Sequence, residues 1–176
     1  MKILIIGRSG SGKSTLATQL AEVLELPLLH LDTLWHTTDY SAEARSWFSA
    51  QQRHFMDKES WIIDGNYRQT LPLRLAQADT IIWLQVPKIV AIFRVIRRSL
   101  RFARNRASRQ EMPSEFHETL DREYFAFLHF VWQHDDQALA TQIQANKQPQ
   151  ATLTILRTQR QKRVYLSRVI KQNESE

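Results

Sequence analysis

The stretch Gly7-Arg8-Ser9-Gly10-Ser11-Gly12-Lys13-Ser14 constrains this chain more than any other feature. It meets the spacing G-x-x-x-x-G-K-[ST]. It lies between a short β-branched apolar run, residues 3–6, and a segment with helical periodicity. Glycines let a backbone curl until successive N–H groups converge on phosphate oxygens. A helix starting at Lys13 then points the positive end of its dipole at the same oxygens. Lys13 is placed to reach the β- and γ-phosphates, and the Ser14 hydroxyl to coordinate Mg2+. The expected cofactors are therefore ATP and Mg2+, with Gly7, Arg8, Ser9, Gly10, Ser11, Gly12, Lys13, Ser14 and Thr15 forming the nucleotide-binding loop.

The rest of the sequence alternates apolar runs of strand length with helical patterns. Strands are expected at residues 3–6, 28–31, 61–63, 80–86 and 152–156, and helices at 13–26, 42–58, 68–77, 88–104, 114–145 and 161–170. Residues 105–113 are basic and polar without periodicity and read as a loop. Alternation of this kind implies one three-layer α/β domain over residues 1–176, with a five-stranded parallel sheet flanked by helices. In such sheets the ligand sits outside the carboxyl ends of the strands, so Gly7, Asp32 and Asp64-Gly65, which end strands in this reading, should share one edge.

Composition narrows the chemistry. The chain has no cysteine, which removes disulfides, thiolate metal sites and a cysteine nucleophile. No apolar run is long enough to span a bilayer, and a cytoplasmic setting without membrane association is the default expectation. The net charge of +6 is concentrated, because residues 88–109 carry eight basic and no acidic side chains. A block of this kind binds polyanions, among them nucleic acid and the phosphates of a nucleotide.

Two carboxylates and one helix then become candidates for chemistry. Asp64 can hold the Mg2+ shell as the second acidic element that a phosphate loop needs, or it can be a turn residue before Gly65. Asp32 can accept a proton from an attacking hydroxyl or orient it, or it can cap a helix beside Thr33. In residues 88–104, Ile89, Ile92, Phe93, Ile96 and Leu100 form one stripe, and Arg94, Arg97, Arg98 and Arg101 another. Clustered guanidiniums weaken a helix unless an anion offsets them. They read as a phosphate clamp, a solvated basic face or a nucleic-acid surface. The histidines show no metal-ligand spacing and read as structural. Phe125, Phe127, Leu128, Phe130, Val131 and Trp132 read as the buried side of a helix. Gln159 and Arg160 follow the last strand and are weaker site candidates.

The sequence Asp64-Gly65-Asn66-Tyr67-Arg68 is similar to the D-G-F-P-R stretch of adenylate kinases, with Asn66-Tyr67 departing from F-P. Arg94 and Arg98 fall at the spacing of two lid-opening arginines of that family, with Arg97 where the pattern has a small residue. The chain thus resembles the nucleotide-kinase-like group that includes adenylate kinase and shikimate kinase. It resembles more closely the bacterial DNA topology modulation proteins, which are related to adenylate kinase. The shared features are the phosphate loop, His30-Leu31-Asp32, residues 61–67, Arg74-Leu75, residues 78–82 and the arginine-rich helix. The resemblance covers about residues 1–170. It implies a kinase that transfers the γ-phosphoryl of Mg-ATP to a small acceptor. Lys13, Asp32, Arg94 and Arg98 would be catalytic, Ser14 and Asp64 would hold the metal, and Asp32 and Arg68 would bind the acceptor. Residues 33–60 would form the acceptor segment and residues 99–122 a lid. The alternative is a nucleotide-gated regulator that acts on DNA through residues 88–109.

Overall fold

The computed structural model describes residues 1–104 and 122–174. Along the chain run β1 (Lys2–Gly7), α1 (Lys13–Leu24), β2 (Leu28–His30), α2 (Leu31–His36), α3 (Ala42–Met56), β3 (Trp61–Asp64), α4 (Leu71–Leu75) and β4 (Thr80–Leu84). They are followed by α5 (Lys88–Arg104), α6 (Arg122–Trp132), α7 (Asp136–Asn146), β5 (Thr152–Leu156) and α8 (Gln159–Asn173). The five strands form one parallel sheet in the order β2-β3-β1-β4-β5.

The central strands are apolar on both sides because helices cover both faces. Side chains alternate across a strand. Ile3, Ile5, Ile62, Ile82 and Leu84 accordingly pack with Leu16, Ala17 and Leu20 of α1 on one face. On the other, Leu4, Ile6, Trp61, Ile63, Ile81 and Trp83 pack with Leu31, Phe48, Met56, Leu71, Leu139 and Ile143. No helix among the described residues is long and apolar enough to cross a membrane.

Several elements differ from the sequence expectation. β2 stops at His30, and the chain turns at once into α2, so Asp32 lies in the first turn of a helix, not at the end of a strand. A carboxylate is favoured there by the helix dipole. α1 ends at Leu24 because Glu25 adopts a left-handed conformation (φ 52°) and its N–H closes on the Ala21 carbonyl. α4 is only Leu71–Leu75, since residues 67–70 form a turn in which the Thr70 and Leu71 N–H groups both donate to the Tyr67 carbonyl.

The helix expected over 114–145 is two helices within its described part. Asp135 interrupts it by accepting the Gln137 and Ala138 N–H groups as the N-cap of α7. Residues 114–121, the loop expected at 105–113 and most of the expected lid lie outside the described residues.

The aromatic set of α6 is also not a buried face. Val131 is buried, but Phe125 (67% exposed), Phe130 (65%) and Trp132 (47%) face solvent. On α5 neither stripe is the one that packs. Ala91, Val95, Ser99 and Phe102 are buried, whereas Ile89 and Phe93 are 73% and 64% exposed. The reason is the phosphate loop beneath the helix. A Cβ added at Gly10 would stand 2.3 Å from the Ala91 carbonyl oxygen and 3.0 Å from Val95 Cγ2. So close an approach leaves room only for small side chains on α5 and none on the loop.

Candidate functional site

The strand registers set the site. His30 of β2 and Ile5 of β1 both stand opposite Asp64 of β3, and Gly7 stands opposite Leu84 of β4. The carboxyl ends of β1, β2 and β3 therefore lie side by side, with the phosphate loop leaving the central one.

The loop is held by contacts that the motif alone does not contain. The Asn66 side-chain amide forms a reciprocal pair with the Gly7 backbone: its oxygen accepts from the Gly7 N–H at 2.9 Å, and its nitrogen donates to the Gly7 carbonyl at 2.9 Å. Within the loop the Ser11 N–H donates to the Arg8 carbonyl at 3.1 Å. Arg8 itself is buried, and its guanidinium is tied to Asp136 Oδ2 at 2.8 Å and to the His134 carbonyl at 3.2 Å. The Arg8 side chain thus anchors the loop to the start of α7. Lys13 and Ser11 are buried, Ser9, Gly10, Gly12 and Ser14 are partly so, and Thr15 is exposed.

Asp64 is 4% exposed and ends β3 beside that loop. One carboxylate oxygen, Oδ2, lies 3.1 Å from His30 Nδ1. The other, Oδ1, is buried and makes no hydrogen bond. A buried carboxylate oxygen left without a partner is costly, and a cation in the site would satisfy it. Among the described residues no group of three or more His, Asp or Glu forms a metal cage. Mg2+ takes one or two protein oxygens and completes its shell with phosphates and water. Ser14 and Asp64 therefore fit a Mg2+-nucleotide pair.

A second cluster flanks Asp32, which is exposed. The Tyr67 hydroxyl donates to the Asp32 carboxylate, and burial together with that negative charge raises the phenol pKa well above its ordinary value. Tyr67 is held at φ 30°, a conformation rare for a residue with a side chain. Arg74, fully buried, fixes this turn by donating to the carbonyls of Gly65, Asn66 and Tyr67 at 2.5, 2.5 and 3.0 Å. Burial lowers the Arg74 guanidinium to about 9, against the stabilising charge of Asp64.

Trp35 packs edge-on against Tyr40, Phe48 and Tyr67 at ring-centroid distances of 5.7, 5.2 and 6.3 Å. α2, α3 and the β3–α4 turn thus build an aromatic wall next to Asp32. Arg68 is exposed and donates to the Asp135 carbonyl at 3.1 Å. Arg94 and Arg98 are half-buried on α5, and Arg94 has a buried guanidinium nitrogen, Nη1, without a hydrogen bond. Gln159 and Arg160 are exposed in the first turn of α8.

Sequence reasoning missed four residues here. His30 reads as structural from the sequence, because the register that sets it opposite Asp64 is not contained in the linear order. Asn66 stands out in the sequence only through resemblance, as a departure from one family pattern and a shared residue of another. Arg74 was noted only for resemblance. Lys162 of α8, which reaches the phosphate loop from the far end of the sequence, carried no signal in the linear order.

A five-stranded parallel sheet with the phosphate loop after its central strand and helices on both faces is the fold of the P-loop kinases. Solved structures that share it over nearly the whole chain include a shikimate kinase from Acinetobacter baumannii in complex with shikimate (14% identity, TM-score 0.58, covering 99% of this chain and 93% of that one). Another is a shikimate kinase from Bacteroides thetaiotaomicron (18% identity, TM-score 0.58, 99% and 98%). A deoxyadenosine kinase from M. mycoides is similar at 16% identity and TM-score 0.51, covering all of both chains. No protein-family model matches the sequence, and none of the curated proteins compared with it does.

Proposed function

We propose that this chain is a Mg2+-dependent kinase that transfers the γ-phosphoryl group of ATP to a hydroxyl of a small acceptor. The observation that carries this reading is the convergence of the phosphate loop, the unpaired Oδ1 of Asp64 and the Tyr67-oriented Asp32 on one edge of the sheet. The shared fold supports it, since its solved members include kinases of shikimate and deoxyadenosine, both hydroxyl compounds.

In this reading the loop N–H groups and Lys13 hold the triphosphate. Ser14 and Asp64 would hold Mg2+, which would supply neutralisation of the phosphate charge. The acceptor hydroxyl lies beside Asp32. Its oxygen attacks the γ-phosphorus in line, its proton passes to the Asp32 carboxylate, and the bond from the γ-phosphorus to the β–γ bridging oxygen breaks to release ADP. Arg94 and Arg98 offset charge on the transferred group, and Arg68 binds the acceptor. The aromatic wall of Trp35, Tyr40 and Tyr67 favours an acceptor with a ring that can stack.

The test is coupled ADP release with a panel of nucleosides, nucleoside monophosphates and ring polyols. Stimulated turnover is expected with at least one of them. Lys13→Ala removes both ADP binding and turnover. Asp32→Asn retains ADP binding but lowers turnover by about two orders of magnitude or more. Tight ADP binding without turnover on any acceptor would count against a kinase, and full activity in Asp32→Asn against its role as base.

A further inference from the structure

Lys162 lies in the second turn of α8, on the last crossover of the sheet, yet its side chain ends at the phosphate loop. It is 7% exposed, and its ammonium donates to the Ser11 carbonyl oxygen. A Cβ added at Gly12 would stand 2.9 Å from Lys162 Nζ, so the loop backbone lies directly against the ammonium. Gly12 also takes φ 89°, which residues with side chains rarely adopt. Gly12 is therefore required both for the curl of the loop and for the approach of this lysine.

Two facts make the arrangement unlike an ordinary buried lysine. First, Lys162 has no carboxylate partner among the described residues, and the charges that act on it are those of Arg94 and Lys13, both positive. Burial first, and then those two cations, lower Lys162 to about 8. A buried charge normally persists only when paired. Three cations gathered around one loop, with no carboxylate paired to Lys162 among the described residues, define a place for an anion. Second, a peptide unit is planar and trans, so its C=O and N–H point in opposite directions. Lys162 pins the Ser11 carbonyl on the α8 side of the loop, which turns the Gly12 N–H to the other side. Among the described residues that N–H has no acceptor.

We propose that Lys162 is a second lysine of the nucleotide site, a positioning residue that fixes the Ser11–Gly12 peptide so that its N–H receives a phosphate oxygen. Its charge, together with Lys13 and Arg94, makes the loop selective for a nucleotide with a β-phosphate. The inference rests on nucleotide binding by the loop, and it does not depend on the identity of the acceptor or on catalysis.

A lysine that served only to staple α8 to the loop would stabilise the empty protein and would affect all nucleotides alike. The phosphate role predicts a different pattern. Lys162→Met weakens ADP binding about tenfold or more, the scale of a lost charge-assisted hydrogen bond. Adenosine binding stays within about twofold, because no phosphate is engaged. The melting midpoint of the nucleotide-free variant is equal to or above that of the native chain, because an unpaired buried charge has been removed.

Isothermal titration with ADP, AMP and adenosine, with melts of each nucleotide-free protein, reads all three. An unchanged ADP affinity, or an equal loss for adenosine and ADP, overturns the proposal. So does a lowered midpoint with unchanged discrimination between ADP and adenosine. If Lys162→Met does not fold, Lys162→Gln, which keeps a hydrogen-bond donor but no charge, is judged by the same comparison. Failure of the native protein to bind ADP is a separate result, which defeats nucleotide binding itself.

Discussion

At the scale of single residues the site depends on side chains that hold backbone. Asn66 holds Gly7, Arg74 holds the carbonyls of residues 65–67, and Arg8 holds the loop to α7. His134 stands at the last of these joints. It is 8% exposed, and burial lowers its pKa to about 4, with the charge of Asp136 opposing and those of Arg8, Arg68 and Lys13 adding to the shift. A histidine depressed in the folded state binds its proton first in the unfolded chain. Its stabilising effect is thus complete above the ordinary value near 6.5 and is lost as pH falls through the window from there to about 4. Thermal melts should therefore lose on the order of 2 kcal/mol from this residue between pH 7 and pH 4. His134→Leu should flatten that part of the profile, and an unchanged acid slope in the variant would refute the assignment. None of this could be read from the sequence, where His134 is one histidine among six without useful spacing.

At the scale of elements, the pattern located segments better than faces. The start of α5 and both bounds of β5 agree with the sequence expectation, because a proline or a polar stretch sets each of these limits. The face of α5 that packs was hidden, since periodicity shows two stripes but not which neighbour the helix meets. That neighbour is Gly10, and its need for space selects Ala91 and Val95 over the larger Ile89 and Phe93. Gly10→Ala tests this contact. The added carbon meets the Ala91 carbonyl oxygen at 2.3 Å from a residue already at φ 78°. Urea unfolding should show a loss of about 2 kcal/mol or more, with weaker ADP binding because the loop and α5 must part. A variant with native stability and affinity would mean that α5 yields without cost. The break between α6 and α7 was missed for a related reason. Asp135 is an N-cap only because the chain turns there, and a polar residue in a helical pattern has more uses than that one.

At the scale of the whole molecule, the parallel sheet, its phosphate loop and the sharing of one edge by Gly7 and Asp64 were legible, because strand–helix alternation and loop chemistry are local signals. The partners of those residues were not, because strand order brings together His30 with Asp64 and Lys162 with Ser11 across long stretches of chain. Part of the charge excess of residues 88–109 can be placed, while the side chains of Arg104, Arg106 and Arg109 lie outside the described residues. Arg94 and Arg98 are half-buried, and only Arg97 and Arg101 of the four stripe arginines are exposed, beside an apolar ridge. A duplex-binding surface would present such cations together, so gel-shift titration at low salt should show no retained complex at micromolar protein. Retention that weakens steeply with salt would support the DNA reading.

The aromatic wall beside Asp32 gives the molecule an optical property of its own. Of the five tryptophans, Trp61 and Trp83 are sealed in the core, while Trp47 and Trp132 are partly exposed at the surface. Trp35 alone is half-buried against Tyr67, whose hydroxyl touches the proposed base. Its fluorescence should shift when an acceptor displaces water from that wall, and the shift should vanish in Trp35→Phe. The chain thereby carries a built-in dye for finding its own substrate.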